Sequence, residues 1–121
     1  MIDGLWTAVF ESVPTESVRG GEYGVGVLIF RDGKICGGNA SAYVVGRYRM
    51  DGSSISAEVE GWHYSGEPVS IFGPVEKGKS YRFDLVGELA EPVMTLEGVM
   101  ADDPEMRFEA FLTKRTGSEI L

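Results

Sequence analysis

The chain has 121 residues, 43% hydrophobic and 25% charged, which suits one soluble domain needing no metal or disulfide staple. Nineteen acidic residues against eleven basic ones give a formal charge of -8, which argues against a nucleic-acid partner, for solubility and, if there is a protein partner, for a basic one. No apolar run approaches a membrane span, MIDGLWTAVFESVP is too polar for a signal peptide, and Cys36 stands alone; a cytoplasmic chain without membrane contact is expected.

Period-two alternation, broken by turn residues every ten or so positions, predicts eight strands, at about 4–12, 21–31, 33–38, 41–51, 53–64, 80–90, 93–101 and 105–115. Asp32-Gly33 and Asp51-Gly52 lie between apolar stretches and read as hairpin turns. In the fifth strand Ile55, Ala57, Val59 and Gly61 share one face, and Ser56, Glu58, Glu60 and Trp62 the other. Ser65 to Lys79 holds two prolines and three glycines and reads as the longest loop, with room for one short helical turn. Tyr81, Phe83, Leu85, Gly87 and Leu89 then alternate with polar or small residues, as do Met94, Leu96, Gly98 and Met100 after the Glu91-Pro92 turn. Asp102-Asp103-Pro104 marks the last turn before Met106, Phe108, Ala110 and Leu112.

Eight sequential strands with one apolar face imply an all-β meander, either a closed barrel or a sandwich. The 17 glycines favour the barrel: Gly24, Gly26, Gly37, Gly38, Gly46, Gly61, Gly87 and Gly98 fall inside strand patterns, where they permit the coiling that closure requires.

Gly4-Leu5-Trp6 resembles the Gly-x-Trp start of lipocalins and related calycin barrels. In that family the tryptophan closes one end of the barrel under a basic residue near the last strand, for which Arg107, Lys114 and Arg115 are candidates. The stretch from Gly24 to Asn39, then Ala42-Tyr43 and Gly46, together with Asp3-Gly4-Leu5-Trp6, resembles the GrlR-like negative regulators of type III secretion over the first half of the chain. The resemblance implies an eight-stranded calycin-like antiparallel barrel, homodimeric, that binds a DNA-binding transcriptional activator and catalyses nothing. The family's acidic Glu-Asp-Glu-Asp run corresponds here to Met50-Asp51-Gly52-Ser53, where only Asp51 is acidic.

The expected partner-binding residues are Asp51, Glu58 and Glu60, with Asp84, Glu88, Glu97 and Glu109 adding to an acidic exterior. Val9, Val86 and Phe111 face outward and form the expected dimer patch. Trp6, Phe10, Tyr81, Phe83, Leu85, Met94, Leu96, Phe108 and Leu112 are expected to line the interior, which could hold a small apolar ligand instead of filling with side chains.

Catalysis finds little support. His63, the only histidine, could serve Ser65 or Ser70 as a base, but no nucleophile turn or triad context surrounds it. One His and one Cys fall short of a zinc site, so no metal or cofactor is expected. Cys36 reads as a small buried apolar residue. Gly24-x-Gly26 and Gly37-Gly38 precede no helix and are not phosphate loops.

Overall fold

The computed structural model describes residues 2–14, 21, 23–66, 69–70, 73–74 and 79–120. Eight of its strands close into one antiparallel barrel: β1 (Gly4–Val13), β2 (Tyr23–Arg31), β3 (Lys34–Gly38), β4 (Ala42–Asp51), β5 (Ser54–His63), β8 (Tyr81–Ala90), β9 (Val93–Met100) and β10 (Asp103–Gly117). Two short strands, β6 (Val69–Ser70) and β7 (Gly73–Pro74), pair separately between β5 and β8. The barrel strands follow one another as a meander, and closure comes from ten paired positions of β1 against β10, from Gly4 opposite Gly117 to Val13 opposite Arg107. Closure leaves no open edge in the sheet, so each strand's ladder is met on both sides.

Alternation decides which side chains face inward. Ile55, Ala57 and Val59 of β5, Met94 and Leu96 of β9, and Phe108, Ala110 and Leu112 of β10 are all buried. Their sequence neighbours point to the outer face. The β2–β3 hairpin turns at Asp32 and Gly33, with φ of 50° and 79°, the left-handed pair that a tight hairpin needs.

Three details depart from the sequence reading. The last strand begins earlier and ends later than 105–115, and Pro104 lies inside it instead of in the turn, which falls at Ala101–Asp102. Proline is accommodated there because the pairing with β9 is irregular between Asp103 and Arg107. The segment from Ser65 to Lys79 contains the β6–β7 ribbon, and its described residues include no helical turn; its other residues lie outside the described set. Cys36, expected to be buried, is exposed, because Ile35 takes the inward position on β3.

One end of the barrel is plugged. Trp6 and Phe30 are fully buried, with ring centroids 6.1 Å apart edge to face, and Phe30 meets Tyr48 at 5.5 Å. Trp6 donates its indole N–H to the Ile2 carbonyl at 2.8 Å, folding the N-terminal residues across this end. Of the three basic candidates, Lys114 is the one opposite Trp6 in register. Arg115 instead donates to Thr7 Oγ1 at 2.9 Å, and Arg107 lies at the other end, opposite Val13. Lys114 pairs with Glu91, and that contact holds the Glu91 carboxyl below its usual range.

Tyr48 gives the plug a measurable pH signature. Its hydroxyl donates to Asp3 Oδ1 at 2.9 Å. Burial foremost, and then the bond to Asp3 and its charge, push the phenol up to about 12 from 10.0. The folded chain therefore keeps this proton through a pH window in which the unfolded chain has lost it. The unfolded state binds fewer protons there, so this contribution to stability is intact below pH 10 and falls as pH rises towards 12. Tyr48→Phe is expected to cost about 1 kcal/mol at neutral pH through the lost hydrogen bond. It should also flatten the fall in stability at alkaline pH, which denaturant titrations at neutral and alkaline pH would measure.

Candidate functional site: the barrel interior and its outer groove

The end opposite the plug is hollow. A cavity of about 500 Å³ opens there and runs inward to Ile35 and Leu112. Its volume falls within the range of small-molecule sites, roughly 300–1,000 Å³. Of the nine residues expected to line the interior, Phe10, Tyr81, Phe83, Leu85, Leu96, Phe108 and Leu112 border this cavity. Trp6 and Met94 are buried in the core but do not border it.

The space exists because large rings lie over glycines. Phe10 is paired in register with Gly24, Phe108 with Gly98, and Tyr81 with Gly61. At Gly24 or Gly98 an added Cβ would clash with carbons of the facing phenyl ring, and at Gly61 it would come within 2.7 Å of the Tyr81 ring. The rings lie flat against the wall instead of crossing the lumen. Phe83 continues the layer, 5.4 Å from Phe108 and 6.2 Å from Tyr81.

Polar groups gather at one corner of the mouth. His63 is the inward residue that follows Gly61 on β5, and both of its ring nitrogens are buried with no hydrogen-bond partner among the described residues. It pairs in register with Ala42, and its ring lies 6.0 Å from that of Tyr81. Burial raises the Tyr81 phenol, so its hydroxyl stays protonated and able to donate. Asn39 Oδ1 accepts from the Ser41 and Ala42 backbone N–H groups, each at 2.9 Å, which fixes the β3–β4 turn beside His63. No charged side chain borders the cavity among the described residues. Nor is there any group of three or more His, Cys, Asp or Glu among them placed to hold a metal.

The outer face carries a second concavity, a groove of about 850 Å³ across β4, β5, β8, β9 and β10. Register builds it from two rows. Glu109, Glu97, Val86, Ser56 and Arg49 stand side by side on successive strands, and next to them run Phe111, Thr95, Glu88, Ser54 and Asp51; beyond the groove, Glu11 and Val9 continue the two rows on β1. Three carboxylates are thus consecutive in the first row. Val86 and Phe111 are 54% and 52% exposed within this acidic setting. Ser53 and Ser54 donate to Glu88 at 2.8 and 2.7 Å and hold its carboxyl below the usual range, so it stays ionised.

The expected partner-binding acids separate. Asp51 borders the groove. Glu58 stands between Arg47 and Asp84, and Glu60 between Val45 and Arg82, so their charges are interleaved with basic ones outside it. Val9 and Phe111 of the expected dimer patch are direct register partners, and Val25 continues the stripe on β2. Val86 lies two strands from Phe111, across β9.

Sequence reasoning passed over His63 as an inward residue, and also the Glu11–Glu109–Glu97 row. The first was reachable by extending the Ile55–Ala57–Val59–Gly61 face one step further. The second needs strand register, because its members come from three strands.

An all-β, eight-stranded antiparallel closed barrel of meander order is the architecture of calycin-like barrels, and this chain has it. No family model matches the chain, and no curated protein matches its sequence. No helix among the described residues is long and apolar enough to cross a membrane.

Proposed function

We propose that this is a non-enzymatic regulatory binding protein that sequesters a basic protein, a DNA-binding transcriptional activator, in its acidic outer groove. The observation that carries the reading is the pairing of exposed Val86 and Phe111 with Asp51, Glu88, Glu97 and Glu109 around one concave surface. Apolar anchors supply affinity on desolvation, while the surrounding charge selects a basic partner and speeds encounter. The N-terminal resemblance to negative regulators of type III secretion supports the same mode of action. Asp51, which ends β4 next to the turn where those proteins carry their acidic run, is at the groove's border. In this chain the acidic residues lie in a row across strands instead of within one turn. Val9 and Val25, outside the groove, continue the apolar stripe from Phe111 and offer a surface to a second copy of the chain.

The test is capture from a lysate of the source cells at low salt. Wild-type chain should retain a basic DNA-binding protein, released as salt rises. Glu97→Lys combined with Glu109→Lys, or Phe111→Ser alone, should abolish retention while circular dichroism stays unchanged. Equal retention by these variants would remove the groove from the mechanism.

The interior favours a second, compatible reading: the cavity takes a small apolar molecule. Inner and outer faces are served by alternate residues of the same strands, so neither use excludes the other.

A further inference from the structure

We infer that the outer face of β2, β3 and β4 docks on the acidic row of a second copy of this chain, head to tail; the bearing of this contact on partner binding rests on the groove reading above. The face carries a row of cations. Arg31 is opposite Lys34 in register and Lys34 opposite Arg47, and all three are exposed. Beside them on the same strands run Ile29, Cys36 and Val45, an uncharged row in which Cys36 and Val45 are exposed. Like charges directly opposite each other on a sheet are destabilising. Asp32 pairs with Arg31 at 3.9 Å and Glu58 stands beside Arg47, but Lys34 has a cation on each side.

The acidic row has the same construction with the opposite sign. Glu109 has a carboxylate on each side, Glu11 on β1 and Glu97 on β9, and beside them run Val9, Phe111 and Thr95. Both rows step from strand to strand, so their charges repeat at one pitch, about 4.8 Å. Laid face to face, three cations meet three carboxylates and the two uncharged rows meet each other. This match of sign, length and pitch is what makes a second copy the occupant. Lys34 and Glu109, the middles of the two rows, lie three strands apart around the closed sheet, so the surfaces face different ways. One neighbour cannot cover both, and copies therefore add in line through a heterologous contact. The contact is small, so association is weak and falls as salt rises. It covers Glu97, Glu109 and Phe111, which border the groove, and so competes with a basic partner for them.

The experiment is sedimentation equilibrium of the full chain over a range of concentrations, at about 20 mM and about 500 mM salt, where charges are felt over roughly 20 Å and 4 Å. At low salt the mean mass should rise with concentration to about twice the monomer's or more, and at high salt it should stay the monomer's. Lys34→Glu with Arg47→Glu, and separately Glu97→Lys with Glu109→Lys, should each give a monomer with unchanged circular dichroism. Mixed one to one, these two chains should associate again, because every row then meets its opposite. Each pair of reversals moves the formal charge of -8 by four, in opposite directions, so both chains stay acidic and overall attraction cannot produce the recovery. A wild-type chain that stays monomeric, association that survives either pair of reversals, or no recovery on mixing would overturn the docking. Partner retention lost with Glu97→Lys and Glu109→Lys would then still leave the groove reading standing. Self-association as expected, beside partner retention unchanged by those two substitutions, would uphold the docking and overturn the groove reading alone.

Discussion

Trp6→Ala is expected to lower the free energy of unfolding by about 3–5 kcal/mol, the range for deleting a large buried aromatic ring. That is a large part of the roughly 5–15 kcal/mol that holds a domain together. The cost should fall near the top of the range for three reasons. Trp6 is fully buried between Phe30 and the N-terminal residues, so no solvent refills the space. The Ile2 carbonyl loses its indole donor and is left with an unmet acceptor. The neighbouring wall is a closed sheet, in which β1 is tied to β10 and β2, so it cannot collapse inward. Phe10→Ala removes an aromatic ring from the same strand, but at the hollow end, where Phe10 already borders open space. It should cost clearly less. Denaturant titrations compare the two, and an equal loss would mean that the two ends of the barrel do not differ in packing as described.

The strands and their order were legible because their signals are local. Period-two alternation sets which residues face inward, and Asp32-Gly33 encodes a hairpin turn through φ values that few other pairs adopt. The start of β10 was not legible, since Pro104 normally marks a turn and only an irregular pairing lets it join the ladder. The plug was legible through Gly4-Leu5-Trp6, but the choice of Lys114 over Arg107 and Arg115 needed register. Register also hides both candidate sites. Glu97 and Glu109 read as two scattered acids until β9 and β10 are paired. Phe111 reads as one stray outward phenylalanine until Val9 is found opposite it. The cavity is harder still: large inward residues such as Phe10, Phe108 and Tyr81 argue for a filled lumen. They line a hollow one because each lies against a glycine on the neighbouring strand, and nothing in one strand's sequence reveals what stands opposite.

That arrangement yields the second large effect. Gly98→Val should cost about 1–3 kcal/mol, the usual penalty of overpacking, because its Cβ would occupy the place of the Phe108 ring. Phe108→Ala should also destabilise, by removing a buried ring. Combined, the two should cost less than their sum by about 1 kcal/mol or more, since valine then fills the space the ring vacated. Gly87 supplies the contrast. A Cβ there would meet the Thr95 carbonyl oxygen and the Leu96 Cα, both backbone, so Phe108→Ala should give no relief to Gly87→Val. The glycines would then divide into two kinds, those that seat a ring and those that let strands approach. If coupling to Phe108 is absent at Gly98 or equal at Gly87, the rings are not held by the glycines, and the cavity must owe its volume to something else.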